Sequence, residues 1–152
     1  MNLTNNEIIK LCKYLDSKHP GDGGNCGSFA LALARELPVN DKKLVLCYEY
    51  CGEELDDLSD FDDELLYHVA FMCNDTIFDC TGTVDVKTLE KICFDNYGDR
   101  DPIIESWEYN ESEDNEFRRL FEWNTAFDVY PEYYQKLIRE YLKVKKNEGK
   151  LQ

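Results

Sequence analysis

Three residues of this chain have the types and the order needed for nucleophilic chemistry on a carbonyl: Cys26, His68 and Asp79. Cys26 stands in the segment GGNCGSFALALARELP, where a glycine-rich stretch gives way to a helical apolar pattern. A Cys in the first turn of a helix meets unpaired backbone N–H groups and the positive end of the macrodipole. Both favour thiolate over thiol, and the thiolate is the nucleophile. Gly24 and Gly27 flank the thiol and permit a substrate backbone to approach it. The backbone N–H of Cys26 and the Asn25 side chain are the donors at hand for an oxyanion.

A thiolate needs a positioned proton carrier, and the chain has two His. His19 sits in the loop HPGDGG. His68 sits in LLYHVAFM, a strand pattern in which its direction can be fixed. The base in turn needs an acceptor to hold its tautomer. Asp79 ends the next strand pattern, TIFD, among apolar residues where an ionised carboxylate is costly without a partner. The turn between the two strands decides whether they meet. With Asn74-Asp75 as a two-residue turn, Cys73 faces Thr76, and His68 and Asp79 are diagonal neighbours on one face. With Cys73-Asn74 as the turn they are directly opposed, and a three-residue loop places Asp79 on the other face.

The remaining elements are those that must carry these side chains. Residues 4–18 read as a helix opened by the capping box Thr4/Glu7, with Ile8, Leu11, Cys12 and Leu15 at helical spacing. The second helix starts near Cys26, directs Phe29, Ala30, Leu33, Ala34 and Leu37 inward, and ends at Pro38. Leu44 to Tyr50 reads as a strand. Eight acidic residues then crowd 53–64, a density that predicts an exposed loop or frayed helix. After the hairpin, Gly82 closes the unit and Asp85 caps a short helix through Leu89 and Ile92. A second acidic stretch, 99–116, surrounds Trp107 without a clear pattern, and a short helix runs to Trp123. Pro131 opens a final helix with Leu137, Ile138, Tyr141 and Leu142 inward. Helices leading into an antiparallel sheet predict one domain of the α+β class.

The glycine-rich approach to Cys26 followed by Phe29-Ala30, the strand begun by His68-Val69-Ala70, and Asp79-Cys80-Thr81-Gly82 together resemble the papain-like cysteine hydrolases. Within them, the transglutaminase-like core is the nearest pattern. The likeness covers roughly residues 20–82. It implies a Cys–His–Asp triad and acyl transfer on amides: proteolysis, glutamine deamidation or transglutamination, without cofactor or metal. Many of these enzymes place a Gln before the Cys; this chain has Asn25 there.

Composition bounds the partners. The chain has 152 residues, 32 acidic against 17 basic, for a net charge of −15. Nucleic acid and anionic membranes require clustered Lys and Arg, so neither is an expected ligand. A protein or peptide substrate, preferentially basic, suits this charge. So does a different class of function, an acidic protein that occupies a basic groove of its partner without catalysis. A papain-like fold that serves in an assembly after losing activity is a third reading. Seven Cys without paired spacing, and no apolar leader, point to a reducing, cytoplasmic setting. A zinc site from Cys47, Cys51, His68 and Cys80 matches no familiar ligand frame. Trp107, Trp123 and Tyr133-Tyr134 are read as closing the core of the C-terminal half.

Overall fold

The computed structural model describes residues 3–49, 57–58, 66–125 and 127–149. Of the acidic run at 53–64 only Asp57 and Leu58 fall within these, and Cys51 and the side chain of Trp123 fall outside them. Leu58 is buried in the main core.

Helix α1 (Asn5–Lys18) begins at the expected capping box: the Glu7 N–H donates to Thr4 Oγ1 at 3.2 Å, and the Thr4 N–H to Glu7 Oε1 at 2.8 Å. Ile8, Leu11, Cys12 and Leu15 are its buried stripe. After the Pro/Gly break, one 3₁₀ turn (Gly23–Asn25) leads into α2 (Cys26–Glu36). Every residue from Cys26 to Ala34 is buried, including Leu31 and Ala32, which lie off the inner face read from the sequence. The helix is apolar all round because it is enclosed on several sides: the sheet lies against one flank, α4 (Asp114–Thr125) and α5 (Pro131–Asn147) against others. Its far end is fixed by Arg35, whose Nε and second guanidinium nitrogen clasp both Asp114 oxygens at 2.9 and 2.7 Å.

The sheet has five strands: β1 (Lys43–Tyr48), β2 (Leu66–Cys73), β3 (Thr76–Asp79), β4 (Gly82–Val84) and β5 (Ile103–Glu108). All pairings are antiparallel, in the order β4-β3-β2-β1-β5. Two of these strands were not expected from the sequence. β4 has three residues, too few for a periodic signal, and is made by a second tight turn in which Asp79 pairs with Gly82, at φ 110°. β5 lies inside the second acidic stretch, where Glu105 and Glu108 obscure the strand pattern; Glu108 pairs with Lys43 across the ladder. Helix α3 (Val86–Tyr97) is capped by the Asp85 carboxylate on the Thr88 N–H (2.8 Å) and runs a turn beyond Ile92 to Gly98, at φ 71°.

The architecture is α+β. Helices α1, α2, α4 and α5 share one buried cluster with Leu44, Leu46, Val69, Phe71 and Phe78 of the sheet. The opposite face carries a smaller cluster, in which Leu89 and Cys93 of α3 cover Val45, Cys47 and Ala70. Tyr134 closes the larger cluster beside Phe29, while its neighbour Tyr133 stays exposed. Among the described residues no helix is long and apolar enough to cross a membrane. One irregularity matters below. Cys47 pairs with His68, but Tyr48 pairs with Leu66, so Tyr67 is an extra residue that bulges from β2.

Candidate active site

The hairpin turn is Asn74-Asp75, with φ of 52° and 55°, the left-handed pair of a type I′ turn. Cys73 pairs with Thr76 and Phe71 with Phe78. That register is the diagonal arrangement, and it sets His68 Nε2 3.5 Å from Asp79 Oδ2, with the Asp79 side chain buried and the His68 side chain 12 % exposed. The separation is long for a direct hydrogen bond, and Nε2 closes no shorter one.

Asp79 is held from its other side. Its Oδ1 accepts from the Thr81 N–H at 2.8 Å and from the Thr81 hydroxyl at 2.5 Å. The same carboxylate thus begins the β3–β4 turn with one oxygen and faces the imidazole with the other. The Asp-x-Thr spacing is an Asx-turn signature, so Thr81 was within reach of sequence reasoning as the anchor of Asp79.

β3 ends at Asp79, one position beyond its pairing of Phe78 with Phe71. The segment of β2 before Val69 therefore has no β3 neighbour, and there the first residue of α2 comes up to the sheet. The Cys26 sulfur is within hydrogen-bonding reach of the His68 ring. With Nε2 turned to Asp79, Nδ1 is the ring nitrogen left for the sulfur. Burial works against a charge on His68, yet Asp79 and Cys26 outweigh it and push the ring up to about 10, so it holds its proton at neutral pH. Burial likewise opposes charge on Asp79, but the imidazole and Thr81 hold its carboxyl below the usual carboxylate range.

These shifts set the pH dependence of stability. His68 is raised from 6.5 to about 10, so its contribution is complete below 6.5 and is lost as pH climbs through 10. Asp79 is lowered from 3.8, so its contribution is present above that value and lost on acidification.

The other described thiols are buried too. Burial pushes Cys73 up to about 11 and Cys80 up to about 12, with Asp79 adding to the latter, and it raises Cys12 still further. Cys47, directly across the ladder from His68, shares a hydrogen bond with Cys93 of α3; the bond raises Cys47 and lowers Cys93. Cys47 and Cys93 are thus neighbours of the site, a relation that their spacing in the sequence does not reveal.

Gly24 lies half-buried in the 3₁₀ turn and Gly27 is buried in the first turn of α2. Asn25 is buried and its amide is engaged at both ends. Its Oδ1 accepts from the backbone N–H groups of Asp128 (3.0 Å) and Val129 (3.2 Å). Its Nδ2 lies 3.2 Å from His19 Nε2 and 3.3 Å from the Pro20 carbonyl oxygen. Asn25 therefore ties the loop before α2 to the loop before α5, and its amide is committed to that rather than to an oxyanion. The second histidine, His19, belongs to this clamp. Asn25→Ala leaves two loop N–H groups without their acceptor; a loss of about 2 kcal/mol is expected, read as a lower denaturation midpoint in urea.

Two polar cavities of about 400 and 320 Å³ share Val39, Asn40, Asp41 and Lys43 at the opposite end of β1, and neither touches Cys26, His68 or Asp79. Comparison with protein-family models, with curated proteins and with solved structures finds no match to this chain.

Proposed function

We propose that the protein is a thiol-dependent amide hydrolase or acyltransferase, papain-like with a transglutaminase-like core, acting on a protein or peptide substrate. The observation that carries this reading is a largely enclosed imidazole placed between the Cys26 sulfur and the Asp79 carboxylate, both of which favour its protonated form.

The chemistry follows from that arrangement. His68, its affinity for a proton raised by Asp79 and Cys26, is the group that stabilises the Cys26 sulfur as it becomes the nucleophile. The sulfur attacks the amide carbon; its electron pair forms the C–S bond and the carbonyl π pair moves onto oxygen. The backbone N–H of Cys26 is the donor proposed for that oxyanion, since the Asn25 amide is engaged elsewhere. Collapse expels the amine, which takes its proton from His68, and leaves a thioester. A water then gives its proton to His68 as it attacks the thioester carbon, releasing the acid and restoring the pair. An amine in place of water makes the product a new amide. Asp79 keeps Nε2–H turned toward itself and Nδ1 toward the reaction.

Alkylation by iodoacetamide at about pH 6, followed by peptide mapping, tests the reading. Cys26 is expected to react on the order of 100-fold faster than the other six thiols, because it lies within hydrogen-bonding reach of the imidazole. Slow, uniform labelling of all seven would remove the activated thiol and leave the non-catalytic acidic binder as the better account.

A further inference from the structure

Beside the triad lies a surface that the acyl-transfer chemistry does not use. The bulge in β2 turns Tyr67 to the α3 side of the sheet, where it joins the cluster around Cys47 and Cys93. There its ring stacks on that of Tyr97, with centroids 4.3 Å apart and planes within 9°. The Tyr97 hydroxyl donates to the Tyr67 carbonyl oxygen at 3.4 Å, one peptide unit from His68. Tyr97 also stands one helical turn after Cys93, whose partner Cys47 faces His68 across the ladder. An aromatic platform thus adjoins the imidazole.

Two features of this platform select a ligand. Tyr97 is 55 % exposed although one ring face is covered by Tyr67. At its edge the Tyr67 hydroxyl donates to Asp99 Oδ2 at 3.4 Å, and among the described residues Asp99 has no Lys or Arg ion-pair partner. Burial, then the charges of Glu49 and Asp99, push the Tyr67 hydroxyl up to about 12, which registers the negative potential there. Arg100, the nearest cation in sequence, is turned over the Phe94 ring, 5.7 Å from its centre. Asp99 also accepts from the Asp101 N–H at 3.0 Å, and an exposed aromatic ring beside a carboxylate with no cationic partner among the described residues favours a cation.

We propose that Tyr97, backed by Tyr67 and flanked by Asp99, is the specificity subsite of the enzyme and takes a Lys or Arg side chain of a peptide next to the bond attacked by Cys26. This rests on the thiol hydrolase reading and names its substrate class.

The test compares Cys26 labelling by acetyl-arginine and acetyl-leucine chloromethyl ketones, each rate divided by the iodoacetamide rate of the same protein. The arginine probe is expected to react about tenfold faster, as one exposed cation–π contact with a nearby carboxylate supplies. Tyr97→Ala and, separately, Asp99→Asn should bring the ratio to within about twofold of unity, while Tyr97→Phe retains it, because the ring face is kept. Equal rates for the two probes on a protein whose Cys26 reacts selectively with iodoacetamide would overturn the subsite alone. An arginine preference surviving both substitutions would overturn it as well. A Cys26 no faster than the other thiols toward iodoacetamide would overturn the hydrolase reading and the subsite with it.

Discussion

His68→Gln is expected to slow iodoacetamide alkylation of Cys26 at about pH 6 by roughly 100-fold and to reduce amide hydrolysis by at least about 1,000-fold. Gln preserves the bulk and a hydrogen-bonding end, so the β2 position stays filled, but it cannot carry the proton. Without the imidazolium, the buried Cys26 sulfur loses the charge partner that activates it. The alkylation deficit should narrow in alkali, whereas the deficit in hydrolysis should persist because the leaving amine still lacks its acid. Parallel pH series for the two reactions make the measurement. A variant that alkylated at the wild-type rate at pH 6 would show that the imidazole does not activate the sulfur.

Asp79→Asn should produce the second large effect, by a different route. Asn can keep its oxygen on the Thr81 N–H and hydroxyl, since those bonds define the β3–β4 turn. Its NH₂ group then faces His68 Nε2 where a carboxylate oxygen stood. Two donors oppose one another, so the ring sheds its Nε2 proton or rotates, and the tautomer needed at the sulfur is lost. Hydrolysis is expected to fall by about 10²- to 10⁴-fold. Loss of the imidazolium proton, near 10 with Asp79 in place, should move down by about one to three pH units. Melting curves between pH 4 and 10 provide a check: the native protein weakens as pH rises through 10, and the variant should show that decline earlier.

How far the chain could be read without coordinates differs from one element to the next. The capping box, the Cys26 helix start, the Asn74-Asp75 turn and Pro131 are local signals whose causes lie within four or five residues, and the elements they open stand where they were read. The hairpin register followed from the turn alone, which is why His68 and Asp79 could be paired before their distance was known. β5 was illegible because its pattern is set by β1, about sixty residues away, while its own composition is acidic. The small β4 owes its existence to a turn rather than to its three residues. Asn25 was assigned by type and position to the oxyanion, yet its bonds run to residues 19–20 and 128–129, the latter a contact that spacing does not reveal. Tyr97 escaped notice for the same reason. Its relation to the site passes through α3, whose docking face is chosen by the sheet.

The extra residue at Tyr67 has an implication for how such a protein can change. In a regular ladder, consecutive side chains point to opposite sides, so the neighbour of His68 would face away from it. The irregularity lets two adjacent codons supply both the proposed proton handler and the backing of the proposed cation seat. Losing one residue there would straighten the ladder but dissociate these two duties, leaving chemistry without choice of substrate or the reverse. Lineages retaining this geometry should accordingly tolerate exchange of the Tyr67 ring for another aromatic far better than a shift in strand length.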